Sequence, residues 1–323
     1  MASVFGLGSF HLPESKAVPA HIIEAEELVV NWHLTAACNF RCRYCFASWD
    51  GGGPGCEVWR DATETGRLLA SLRHLFDPAN PTTSLRERLR WRAVRLSLAG
   101  GEPTLLGDRL PEIAAQAREL GFRVSLITNG SRPAVVAKMA PHLDILGISM
   151  DTADAATARL IGRTSSGGDG VSPGDTEALL LATRATHPGL VVKLNTVVSS
   201  ANVDEDLSGL VQRLRPDRWK VMRMLPVLTG ELAVDAAAFR SFVHRHRAFS
   251  SMMTVEDNRD METTYVMVDP HGRFFQNGDG MPGYSYSRSI LEVGATAAFA
   301  EMAFRSDGFA SRYAATGVDG GGR

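Results

Sequence analysis

The chain of 323 residues is poor in lysine, poor in cysteine and without a long apolar run. No stretch approaches the ~18 uninterrupted apolar residues of a membrane-spanning helix, so no membrane attachment is expected. The opening segment, Met1 to Glu27, lacks a basic start followed by an apolar run, the form of a secretory signal. A net charge of −2 leaves no electrostatic footprint for a nucleic-acid partner. Four cysteines are too few for the bridge-rich scaffold of a small secreted protein. What is present, including 44% hydrophobic residues, suffices to bury a full-sized core, and the expected location is the cytoplasm.

Three of the four cysteines fall within one short run, Cys38-Asn39-Phe40-Arg41-Cys42-Arg43-Tyr44-Cys45. Thiolates are soft ligands suited to iron–sulfur clusters, which normally take four. Three on one loop would hold a [4Fe–4S] cube and leave its fourth iron open, and an open position marks a reactive metal site. The spacing, with an aromatic (Tyr44) beside the last cysteine, resembles that of radical S-adenosylmethionine (SAM) enzymes, in which SAM occupies the open iron. A zinc site completed by Cys56 or His33 is the alternative. Cys56 breaks the spacing and reads as a spare thiol.

Short β-branched runs alternate with amphipathic stretches. Strands are expected near Val29–Leu34, Val94–Leu98, Val124–Thr128, Asp144–Ser149, Val191–Val197 and Trp219–Met224. Helices are expected near Asp61–Phe76, Leu110–Leu120, Pro133–Met139, Asp175–Thr186 and Asp204–Leu214. Such alternation predicts an α/β fold, a partial (βα)6 TIM-like barrel with its chemistry at the carboxyl ends of the strands. The motifs obey that rule: the cysteines follow strand one, Gly100-Gly101-Glu102-Pro103 strand two, and Asn129 strand three, while Ser149 ends strand four. The expected organisation is an extension over 1–27, the barrel over 28–227, a C-terminal α/β extension over 228–315 that closes the site, and a disordered tail over 316–323. Gly51–Gly55 and Ser165–Pro173 read as mobile loops.

Lysine scarcity makes the remaining lysines informative. Of 34 basic residues four are lysines, and Lys193 and Lys220 lie inside expected strands. Strand side chains alternate, so Lys193 shares a side with Asn195, Arg218 with Lys220, and Arg95 with Ser97 and Ala99. Cations on an inward barrel face need a partner. With no buried carboxylates evident nearby, Arg95, Lys193, Arg218 and Lys220 read as a cradle for a triphosphate.

The chain resembles viperin and its prokaryotic relatives, radical SAM enzymes, from about Val29 to Val293. The resemblance rests on Asn31–Thr35 leading into Cys38–Phe46, Leu98–Leu105, Leu160-Ile161-Gly162-Arg163, Lys193-Leu194-Asn195, Asn202–Asp206 and Arg218-Trp219-Lys220-Val221. It implies that Cys38, Cys42 and Cys45 hold a [4Fe–4S] cluster and that Gly100, Gly101, Glu102, Asn129, Ser149 and Asn195 lie near SAM. By the same resemblance Arg95, Lys193, Arg218 and Lys220 hold the triphosphate, and Tyr265 sits beside the ribose as a catalytic group. The family has Lys, Asn and Ser where this chain has Arg95, Ser97 and Ala99, and the membrane helix of animal viperins is absent.

The implied activity converts CTP, UTP or GTP to its 3′-deoxy-3′,4′-didehydro analogue, a chain-terminating antiviral nucleotide. Hydrogen is taken from C4′ by a SAM-derived radical, and the 3′-hydroxyl leaves. An electron donor such as flavodoxin or ferredoxin is the implied partner. Radical SAM enzymes acting on peptides usually carry further C-terminal cysteines, and this chain has none after Cys56. A non-catalytic cluster or nucleotide sensor is the remaining alternative.

Overall fold

The structure is a computed structural model that describes residues 22–49, 54–80, 83–278 and 281–313. Most of the expected N-terminal extension, the front of the Gly51–Gly55 loop and the expected tail lie outside these residues. Seven strands run parallel in chain order: β1 (Ile23–His33), β2 (Leu89–Ala99), β3 (Arg123–Thr128), β4 (Ile145–Ser149), β5 (Val191–Val198), β6 (Arg218–Arg223) and β7 (Met253–Glu256). Then β8 (Val266–Val268) returns to pair parallel with β1, and β9 (Arg273–Gly278) and β10 (Met281–Ser289) add antiparallel, giving the order β10-β9-β8-β1-β2-β3-β4-β5-β6-β7.

The six expected strands are all present. The expected count of six parallel strands is corrected, because β7 and β8 extend the parallel run on both sides. Each is four residues or fewer, too short to show a periodicity. Residues after 228 join this same sheet.

Helices cover the outer face and start where the sequence supplies caps. α1 (Ala62–Leu75) is capped by Asp61, whose carboxylate accepts from the amides of Thr63 and Glu64. α2 (Arg109–Glu119) and α3 (Pro133–Met139) follow β2 and β3. α4 (Ala155–Ile161) is an additional short helix after β4, stopped by Gly162 in the left-handed region at φ +87°. α5 (Pro173–Thr186) starts in a reciprocal Ser172–Asp175 capping box with proline in its first turn. α6 (Ser208–Leu214) and α7 (Ala236–Arg245) complete the set around β6. Leu96, Leu98, Val124, Leu126, Leu146, Val192 and Leu194 are buried against these helices in one core.

The opposite faces of the same strands line a cavity of about 310 Å³. Period-two alternation therefore sorts β2 as expected: Leu96 and Leu98 go outward into the core, and Arg95, Ser97 and Ala99 go inward.

Candidate active site

The cysteine loop is framed by backbone pairing on two sides. On one side the Gly101 amide donates to Thr35 O at 2.7 Å, and the Glu102 amide to Ala37 O at 2.9 Å. On the other, the Arg41 and Arg43 amides donate to Gly162 O at 3.0 Å and Ile161 O at 2.9 Å. Two glycines make this approach possible. A Cβ on Gly101 would lie 2.3 Å from Ala37 O, and one on Gly162 would lie 2.2 Å from Arg41 O. Glu57, buried behind the loop, accepts from Thr35 Oγ1 at 2.7 Å and from the Ala36 amide at 3.1 Å.

Cys38, Cys42 and Cys45 all line the cavity, and Cys56 is exposed outside its lining. Burial pushes the thiols up, Cys42 to about 12, against the pull of the Arg163 guanidinium. Among the described residues no three His, Cys, Asp or Glu side chains converge as ligands for one ion. A four-iron cube takes one thiolate per iron, so its ligands need not meet at a point. His33, the alternative zinc ligand, is packed among the rings of Phe46, Trp49 and Phe275 and pushed down to about 3 by burial.

Gly100, Gly101, Glu102, Asn129, Ser149 and Asn195 also line the cavity. Glu102 is a tie as well as a wall: Oε1 accepts from Thr104 N, Thr104 Oγ1 and Thr128 Oγ1 at 3.0, 2.5 and 2.6 Å. Its Oε2 accepts from the Asn129 amide at 2.7 Å. Three of these four hydrogen bonds load Oε1, which leaves Oε2 with a single donor, the Asn129 amide. Asn129 spends its side chain on Asn39 Oδ1, at 2.9 Å, and on the Ser131 amide. Asn195, 5% exposed, has an Nδ2 group with no hydrogen-bond partner among the described residues. Such an orphaned donor suits a polar ligand.

The cation set needs a larger correction. Arg95 is buried against Glu27, Nε to Oε1 at 2.7 Å, and its Nη1 donates to Ser125 Oγ at 3.1 Å. Lys220 pairs with Glu256 at 2.8 Å and donates to Tyr265 Oη at 2.6 Å, while Tyr265 donates to Glu256. Buried carboxylates thus stand behind two of the four cations. Arg218 is exposed at the start of β6 and is not among the lining residues. Lys193 lines the cavity with no ion-pair partner among the described residues, and burial followed by the charges of Lys220 and Arg95 pulls its ammonium far down.

Sequence reasoning missed four groups. Glu27 and Glu256 neutralise cations from strands distant in sequence. Asp151, 1% exposed, accepts from Arg163 Nη1 at 2.9 Å, from the Val197 amide at 2.7 Å and from Tyr44 Oη. Arg163 also donates to Ser149 O, which fixes a buried cation beside the cysteine loop. The signals were a carboxylate closing β4 and an arginine just past the left-handed end of α4.

A family model for the Radical SAM superfamily matches residues 32–169. The chain is 40% identical over 295 residues to an S-adenosylmethionine-dependent nucleotide dehydratase of Pseudoalteromonas ulvae, covering 91% of this chain and 95% of that protein. It is 38% identical to another of the same name from Psychrobacter lutiphocae, over 90% of this chain and 96% of that one. Among solved structures, native anSMEcpe with bound AdoMet and Cp18Cys peptide superposes with a TM-score of 0.57 at 13% identity, covering 89% of this chain and 82% of that one, a likeness of fold. With three cavity-facing thiols on the β1 loop and relatives matched over nine-tenths of its length, the chain belongs to the viperin-like, S-adenosylmethionine-dependent nucleotide dehydratase family of radical SAM enzymes.

Proposed function

We propose that this enzyme binds a ribonucleoside triphosphate (CTP, UTP or GTP) beside SAM and converts it to the 3′-deoxy-3′,4′-didehydro analogue, an antiviral chain terminator. The observation that carries the reading is Lys193: an ammonium without an ion-pair partner among the described residues, facing a cavity that it shares with three thiols. An amine whose pKa is pulled strongly down by its surroundings regains its proton when an anion enters, and a polyphosphate supplies that anion. Lys220 and Arg95 add positive potential, each moderated by its carboxylate, and Arg218 adds its charge from the foot of β6.

Cys38, Cys42 and Cys45 would hold the [4Fe–4S] cluster. Gly100, Gly101, Glu102, Asn129, Ser149 and Asn195 would surround SAM, with Asn195 Nδ2 unpartnered among the described residues and Glu102 Oε2 engaged only by the Asn129 amide. When bound, the cluster and SAM supply the one-electron chemistry, fed by a flavodoxin- or ferredoxin-type donor in the cytoplasm. The protein's share is positioning: cations fix the triphosphate end, and Tyr265, held by Lys220 and Glu256, stands where the ribose would reach. Loss of hydrogen from C4′ and hydroxyl from C3′ amounts to one water.

The test is anaerobic incubation of cluster-loaded protein with SAM, dithionite and each of the four ribonucleoside triphosphates, read by mass spectrometry. One triphosphate should yield a species roughly 18 mass units lighter, together with 5′-deoxyadenosine. Deoxyadenosine without a changed nucleotide would refute the substrate, and neither product from fully loaded protein would refute the reaction.

A further inference from the structure

The cavity wall contributed by the C-terminal part of the chain contains Met261, Tyr265, Met267, Asn277 and Tyr284. None is itself a cation, and Lys220, which reaches this wall at Tyr265, is paired with Glu256. The wall's character is apolar and aromatic: Met267 packs with Trp49 and Phe275, and Tyr265 and Tyr284 lean on that cluster. A flat ring fits such a wall, and the orientation of a ligand in such a pocket is set by a few polar groups. The two phenols are committed. Tyr265 is engaged with Lys220 and Glu256, and Tyr284 Oη donates to Phe46 O at 2.8 Å.

Asn277 is different. It lies on β9, two residues beyond Phe275 and hence on the same face, with only 7% of its surface exposed. Its main chain is fixed by the Thr263 amide, which donates to Asn277 O at 3.2 Å. Among the described residues its side-chain Oδ1, itself buried, has no hydrogen-bond partner. The residue lines the cavity, so a turn of the side-chain amide would present this unsatisfied oxygen to a donor entering there.

We propose that Asn277 reads the nucleobase, its amide oxygen accepting an N–H from the base's hydrogen-bonding edge while the ring lies against Met267 and Tyr284. This rests on the nucleotide reading above, and assigns the base to the C-terminal wall because the cations lie on β2, β5 and β6. Every base carries at least one such N–H, at different positions on the ring, so a carbonyl anchored on a strand selects by where that donor falls.

The experiment competes all four ribonucleoside triphosphates in one anaerobic mixture and reads the product ratio for wild type, Asn277→Leu, Asn277→Ala and Asn277→Asp, each checked for iron content. Wild type should prefer one base. Leu and Ala should flatten that preference roughly 10-fold while still forming 5′-deoxyadenosine. Asp, which keeps the acceptor and loses the donor, should retain the order of preference at reduced overall turnover. A ratio that survives in Leu or Ala overturns the assignment, as does a wild-type enzyme without preference. If wild type converts no triphosphate, the nucleotide reading itself falls. If it converts one selectively and the variants stay selective, Asn277 alone falls.

Discussion

Acid should unfold this protein partly through one histidine. His33 closes β1, is 4% exposed, and is wrapped by Phe46, Trp49 and Phe275 with ring centroids 5.2 to 5.7 Å away. Burial alone pushes its pKa from 6.5 to about 3, with no charged neighbour contributing. The folded state therefore keeps the ring neutral, while the unfolded chain protonates it near 6.5. Stability from this source is complete above that value and is lost as pH falls toward 3. At about pH 5 the unfolded chain gains about 2 kcal/mol from protonation that the folded chain cannot match, against almost nothing at about pH 7.5. The assay is urea unfolding of cluster-free protein at both pH values, for wild type and His33→Leu. The leucine variant carries its own pH-independent penalty, which cancels in the difference between pH values. Wild type should lose about 2 kcal/mol more than the variant on acidification. Equal losses would show that the imidazole takes its proton in the folded state, and the argument from burial would fail.

Glu27→Gln should destabilise the fold by about 3–5 kcal/mol by stranding the buried Arg95 charge, and adding Arg95→Met should restore part of the loss in the same urea titration. Lys193→Met should weaken nucleoside triphosphate binding roughly 10- to 100-fold and flatten its salt dependence, measured by equilibrium titration; unchanged binding would remove Lys193 from the anion site. Lys220→Ala should weaken triphosphate binding too and leave SAM cleavage without nucleotide intact, whereas loss of iron would show that its role is structural. Gly101→Ala should displace the cysteine loop through the 2.3 Å contact with Ala37 O and lower iron content after reconstitution; full iron loading would count against that contact as a determinant of the loop.

Much of the architecture was legible because parallel strands buried on one face and lining a cavity on the other alternate in a readable way. Arg95, Ser97, Lys193, Asn195 and Lys220 could all be placed inward from sequence spacing. Their neutralisation could not. Glu27 ends the run Glu24-Ala25-Glu26-Glu27, which looks like a solvated charged stretch until β1 lies beside β2. Glu256 sits in a four-residue strand between Val255 and Asp257, too short to betray an inward face. Which cations are paired is decided by strands far apart in the chain, and so the difference between Lys193 and the paired Arg95 and Lys220 emerged only from the fold. Asn277 stayed hidden for the same reason: a lone amide is unremarkable until its oxygen is seen to lack a partner.

The clamp between the cysteine loop and the end of α4 has a consequence for how the metal arrives. The Arg41 and Arg43 amides pair with Gly162 and Ile161, and Glu57 braces Thr35 and Ala36, so the loop is held by main chain and a carboxylate rather than by its thiols alone. In small zinc modules the metal supplies the folding free energy, and the chain without metal is unfolded. Here the loop is framed by hydrogen bonds that do not involve the thiols, so the metal is expected to order less of the chain than it does in such modules. Iron loss should accordingly leave a folded apoprotein that can be recharged repeatedly.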